Sequence, residues 1–120
     1  MKKQIIALIC LTGLSGCYYN AGFVEVRHDK VNVGRVAVGD SVSAEFKFRN
    51  NSGDTIKLMF IPECECTTVS TDVMDLKPGE RGQLNVKVAI DSPGEFHKYI
   101  YVQADGYEDF FTVAVTGRAR

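Results

Sequence analysis

Apolar residues recur at every second position in several stretches of this chain, and this period constrains the fold more than any other feature. Residues 42–49 alternate Val, Ala, Phe and Phe with Ser, Glu, Lys and Arg, and residues 56–60 and 84–90 have the same period. Successive side chains of a β-strand point to opposite faces, whereas a helix needs a period of about 3.6 residues. The pattern therefore predicts strands with one face buried and the other in solvent.

Turn sequences separate these strands at short intervals. They are NNSGD at 50–54, KPGE at 77–80, DSPG at 91–94 and DGY at 105–107. We expect further strands over residues 96–104 and 110–117, with one or two more in residues 23–27 and 31–38. About seven strands without a helical stretch predict an all-β fold, an immunoglobulin-like antiparallel β-sandwich.

Composition is that of one small globular domain and excludes some function classes. The chain has 120 residues, 45% of them hydrophobic, with 14 Lys and Arg against 15 Asp and Glu. A nucleic-acid-binding surface needs clustered Lys and Arg to neutralise phosphates. The balanced charge therefore predicts no nucleic-acid partner.

The first residues have the pattern of a signal peptide rather than of a membrane span. A basic start, Met1-Lys2-Lys3, precedes an apolar run over residues 5–14, which is shorter than the roughly 20 residues that a spanning helix needs. Small residues end this run at Leu14-Ser15-Gly16-Cys17, which resembles a bacterial lipobox. We expect residues 1–16 to be removed and Cys17 to be lipidated. The alternative is a plain secretory signal that is cut nearby and leaves Cys17 as an ordinary thiol.

A lipidated Cys17 would make residues 17–22 a short tether and residues 23–120 a β-sandwich domain held at a membrane through its N-terminal lipid. We therefore expect the protein in the cell envelope. Tyr18 is not acidic, which in the sorting rule known from enteric bacteria favours the outer membrane, with the domain periplasmic or surface-exposed.

Four motifs of the domain carry a family resemblance. They are EFKFRNNSG at 45–53, CECTT at 64–68, LKPGE at 76–80 and GEFHKYI at 94–100. In this order and spacing, over residues 33–117, the chain resembles the DUF1573 family, which has no known function, is frequent in Bacteroidetes envelope proteins and is often lipid-anchored. The resemblance implies an immunoglobulin-like fold, related in shape to modules of cilia- and centrosome-associated proteins. The family usually has Cys-Gly-Cys, whereas Glu65 stands between the cysteines here.

Cys64 and Cys66 are the candidates for cysteine chemistry, because Cys10 would leave with the signal peptide and Cys17 would carry lipid. Alternate residues of an extended strand have Cα atoms about 6.6 Å apart, near the upper limit for a disulfide, so a bridge needs a bend. The pair could be structural, bridged or buried, could exchange its bridge with a partner, or could supply half of a tetrahedral metal site.

Catalytic and cofactor motifs are not evident. The sequence contains no nucleophile motif, phosphate-binding Gly-rich loop or paired-carboxylate pattern, so we predict a protein that is not an enzyme and has no cofactor. His28 and His97, the two histidines, stand at no recognisable ligand spacing, and we predict no metal-ligand set.

A candidate binding surface lies on the strand that begins near Phe96. If Ile100 and Val102 face the core, His97, Tyr99 and Tyr101 face outward, and exposed aromatic side chains often mark binding sites. Tyr107 and Phe110 would extend this surface. The alternative is cross-strand packing of the tyrosines, which stabilises many sheets.

Two hypotheses about function follow. The first is a lipid-anchored, non-enzymatic interaction or scaffold module that binds an envelope protein or glycan through a sheet face or edge strand. The second is a thiol-redox or metal-handling lipoprotein that acts through Cys64 and Cys66.

Overall fold

The computed structural model describes residues 19–20, 24–106, 108 and 110–120. The predicted signal peptide, Cys17 and Tyr107 lie outside these residues, as does most of the predicted tether. Within the described ranges no helix is long and apolar enough to cross a membrane.

Ten strands divide into two five-stranded sheets. They are β1 (Tyr19–Asn20), β2 (Val24–Val26), β3 (Lys30–Val36), β4 (Ser41–Asn50), β5 (Ile56–Pro62), β6 (Thr67–Val69), β7 (Val73–Leu76), β8 (Arg81–Ala89), β9 (Gly94–Ala104) and β10 (Phe110–Ala119). Sheet A has the order β1-β2-β4-β8-β6, and sheet B has the order β3-β10-β9-β5-β7. The predicted all-β sandwich is confirmed. Its ten strands exceed the expected seven because β1, β6 and β7 have only two to four residues each, too few to show a period.

One strand pair departs from the antiparallel arrangement of the others, because β3 pairs with β10 in parallel. Residues 27–29 carry the chain from β2 in sheet A to β3 in sheet B. This three-residue connection contains no hairpin, so β3 keeps the direction of β2. β10 runs in the same direction, so its pairing with β3 is parallel. Tyr19 and Asn20, which were expected in the tether, form the short strand β1 and pair with Val26 and Glu25 of β2.

The core lies between the sheets and is built from the inner faces of both. Its largest fully buried side chains are Phe46, Phe48, Leu58, Leu76, Leu84 and Ile100, with valines at 24, 26, 86, 88, 102 and 113. The Phe48 ring from sheet A packs against Phe60 and Phe111 of sheet B, with ring centroids 5.3 and 6.4 Å apart. Burial therefore follows the period-two pattern of the sequence.

Different strands begin and end at the two ends of the sandwich. Val24 lies opposite Asn50 at the end where β5 and β10 begin, and we call this the entry end. The opposite end carries the start of β4 at Ser41 and the end of β10 at Ala119. Ten residues of β4 separate the two ends, which is about 30 Å at the usual rise of a strand.

Candidate functional site

His97, Tyr99 and Tyr101 lie together on the outer face of sheet B. The inner-face neighbours on β9, Ile100 and Val102, are fully buried, so the intervening side chains point away from the core. His97 is exposed, and both tyrosines are half-buried. The structure thus places all three candidate residues on one face.

Neighbouring strands cover part of each tyrosine. The Tyr101 ring meets Phe110 edge-on, with centroids 5.5 Å apart, and its hydroxyl donates to Glu63 Oε2 at 3.4 Å. Tyr99 lies directly opposite Ala114 of β10, which is on the outer face and yet only 2% exposed. Cross-strand packing therefore accounts for the half-burial of both rings.

Aliphatic side chains continue this surface across two more strands. Ile61 lies opposite Tyr101, and Met59 lies between Val73 and Gln103. Ile61, Val73 and Phe110 are 53%, 40% and 59% exposed. We call the continuous surface the apolar band; it consists of Met59, Ile61, Val73, Tyr99, Tyr101 and Phe110.

Three members of this band, Met59, Ile61 and Val73, were not predicted from the sequence. The signal for two of them was present, because the solvent-facing positions of β5 are Lys57, Met59 and Ile61, and a solvated strand face is usually polar. Val73 lies on β7, whose four residues are too few to assign a face.

The outer face of sheet A has a contrasting character. Apart from Ala89, its exposed positions on β4 and β8 are polar or charged, and Ser43, Glu45, Asn85 and Lys87 lie at its centre. Exposed apolar side chains are thus concentrated on one side of the sandwich.

The second candidate site is the turn that connects the sheets between β5 and β6. Cys64 and Cys66 are joined by a disulfide, with Cα atoms 5.1 Å apart. The Thr67 N–H donates to the Cys64 carbonyl at 3.1 Å and closes the turn. This is the bend that an extended strand would need, and both cysteines are half-buried within it.

Hydrogen bonds hold both sides of this cysteine turn. Before it, the Glu63 N–H donates to the Tyr99 carbonyl of sheet B at 3.0 Å. After it, the Ala89 N–H of sheet A donates to the Cys66 carbonyl at 2.9 Å. Within the described part of the chain, no three His, Cys, Asp or Glu side chains lie close enough to share a metal ion. His28 lies exposed in the connection between β2 and β3.

Solved structures with this fold come from several kinds of protein. A protein of unknown function from Porphyromonas gingivalis W83 has a TM-score of 0.71 at 13% identity, over 82% of this chain and 48% of that one. The PapD-like domain 7 of human CEP192 has a TM-score of 0.67 at 10% identity, over 81% and 84%. The E. coli chaperone DraB has a TM-score of 0.60 at 10% identity, over 81% and 55%. At such identities the likeness shows the fold, a PapD-like, immunoglobulin-like sandwich.

The sequence has no match among curated proteins. A family model does match it, and the match extends over residues 24–119, from the first residue of β2 to the last of β10. Since this is most of the chain, the protein belongs to the family described as "Protein of unknown function (DUF1573)".

Proposed function

We propose that this protein is a non-enzymatic binding module of the cell envelope, held at a membrane by a lipid on Cys17, and that it binds its partner through the apolar band. The observation that carries the proposal is the exposure of Ile61 and Phe110, each more than half in solvent on a continuous surface. Contiguous exposed apolar side chains on a soluble domain are characteristic of interaction sites.

Cross-strand packing does not account for the whole band. It explains why Tyr99 and Tyr101 are half-buried, because each lies against a neighbour on β10. It leaves Ile61, Val73 and Phe110 between 40% and 59% exposed. Burying these side chains against a partner would be favourable, since apolar area removed from water stabilises association.

The aliphatic members of the band suit a protein partner. Ile61 and Val73 favour an envelope protein over a glycan, because aliphatic side chains offer no hydrogen bonds to sugar hydroxyls.

Site-specific photo-crosslinking in the native host tests this proposal. A photoreactive phenylalanine analogue at Ile61 is expected to capture one discrete partner, whereas the same analogue at Ser43, on the outer face of sheet A, is expected to capture none. The intact mass of the protein from the same membranes reports whether acyl chains are attached to Cys17. Equal capture from both faces would exclude the band as the binding surface, and an unacylated chain would exclude the anchor.

The cysteine turn supports a second candidate function, disulfide exchange with a partner. In such a step a partner thiolate attacks one sulfur and forms a mixed disulfide with it, while the Cys64–Cys66 bond breaks and the other sulfur leaves as a thiolate. A bridge that closes so short a loop stabilises a fold by only about 1.6 kcal/mol in the chain-entropy model. Because the bridge contributes so little to the stability of the fold, we favour a chemical role for the pair.

A further inference from the structure

An extra residue interrupts the pairing of β3 with β10. Asn32 lies opposite Thr116 and Arg35 lies opposite Arg118, so that Val33 and Gly34 together face Gly117. Gly34 has a φ of 78°, which glycine adopts without steric cost. Its N–H donates to Asn32 Oδ1 at 2.8 Å, which holds the bulge locally.

This bulge reverses the facing of the residues that follow it. Val31 and Val33 pack against the core, and so does Val36, three residues after Val33 rather than two or four. Strict alternation would have turned Arg35 inward, whereas the extra residue turns it to solvent opposite Arg118.

Three arginines meet in a hollow as a result. Arg35 and Arg118 are direct register partners. Arg120 follows two residues later, its N–H donating to the Val36 carbonyl at 3.2 Å and its carbonyl accepting from the Val38 N–H at 3.1 Å. The side chains of all three line one surface hollow at the end of the sandwich opposite the entry end.

Positive charge exceeds negative charge around this hollow. Arg118 pairs with Glu95 at 3.6 Å, with both side chains 68% exposed. Among the described residues no carboxylate forms an ion pair with Arg35 or Arg120, although Asp40 lines an adjoining hollow with them. Like charges directly opposite each other weaken a strand pair, and a bound anion would reverse that effect.

We infer that this hollow, the arginine hollow, binds a phosphate group. A carboxylate is satisfied by one bidentate arginine, whereas a phosphate monoester offers three oxygens and a charge near −2, which suits several guanidinium groups. A soluble phosphate compound and a lipid headgroup offer the same chemistry, and the experiment below distinguishes the two sources.

Calorimetric titration of the purified full chain with inorganic pyrophosphate tests the inference. We expect saturable binding at fixed ionic strength that the double substitution Arg35→Gln and Arg118→Gln weakens by at least roughly tenfold, because charge-assisted hydrogen bonds are lost. Arg49 and Arg81 provide a matched control. They are also direct register partners, on β4 and β8, but Glu25 lies opposite Arg49.

The control removes the same charge from another surface, so Arg49→Gln with Arg81→Gln is expected to retain full pyrophosphate affinity. Equal weakening in both double variants would show unspecific attraction and overturn the inference, as would absence of binding to the unaltered protein. Thermal melts establish that both variants are folded. Dioctanoyl phosphatidic acid separates the two sources: binding tighter than that of glycerol phosphate would identify a lipid headgroup as the ligand, and equal or weaker binding would identify a soluble phosphate compound.

Discussion

Asn50 ends β4 as a buried polar side chain with its full hydrogen-bonding capacity used. It is 0% exposed. Its Nδ2 donates to the carbonyls of Asp54 at 2.7 Å and Leu76 at 2.8 Å, and its Oδ1 accepts from the Ser52 N–H and hydroxyl at 2.8 and 2.7 Å. One side chain thus ties the turn after β4 to the end of β7, in the motif that sequence analysis identified only as a turn.

Replacing Asn50 by Ala is expected to lower the free energy of unfolding by about 2–4 kcal/mol, because the buried Leu76 carbonyl and the Ser52 N–H lose their partner. Urea denaturation measures the change. The neighbouring Asn51→Ala is the control, since its exposed side chain makes one 3.4 Å bond to Glu25, and its effect is expected within about 0.5 kcal/mol. Equal effects of the two substitutions would contradict this role of Asn50.

The surroundings of Gly117 leave no room for a side chain. A Cβ at this position would lie 2.6 Å from Phe96 Cζ and 2.9 Å from the Gly34 carbonyl oxygen. We expect Gly117→Ala to destabilise the fold by about 1–3 kcal/mol, the usual effect of overpacking, in the same denaturation assay. Gly53 has no atom within 4 Å of such a Cβ, so Gly53→Ala is expected to leave stability nearly unchanged. If Gly117→Ala were tolerated as well as Gly53→Ala, the β3 bulge opposite Gly117 would have to be able to relax.

At the scale of elements, the period of two predicted some features well and others not at all. It assigned His97, Tyr99 and Tyr101 to one face because β9 keeps the period of two from Phe96 to Ala104, with Lys98 as the one charged residue among the inward positions. The period of two did not predict that Arg35 faces solvent. An inserted residue at Gly34 changes which face of the sheet the following side chains occupy, and it does so without changing the composition. The parallel pairing of β3 was also missed, since a crossing between sheets has no periodic signal.

The cysteine turn is expected to be a weak staple. Replacing Cys64 and Cys66 together by Ser is expected to lower Tm by no more than about 10 °C, because so short a loop restricts the unfolded chain little. Scanning calorimetry measures Tm, and the unaltered protein with its disulfide reduced is the control that should match. A much larger loss would make the bridge a structural necessity. Photo-capture from Ile61 should persist in this variant, whereas its loss with the fold intact would favour disulfide exchange.

At the scale of the whole molecule, the sandwich separates different chemistries on different surfaces. Sheet A presents polar side chains, sheet B presents the apolar band, and the arginine hollow occupies the end opposite the entry end. The sandwich itself was predictable from alternation and turns. The hollow was not, because Arg35 and Arg118 are distant in sequence and meet only through the pairing of β3 with β10.

That pairing also dictates when the domain can become folded during its synthesis. β3 leaves the ribosome early but acquires its neighbour in sheet B only when β10, the last strand, has been made. Contacts between such distant segments form slowly, because the intervening chain must first be closed into a loop. Sheet B is therefore expected to lack its β3 edge until β10 has emerged, whereas the strands of sheet A can pair before then.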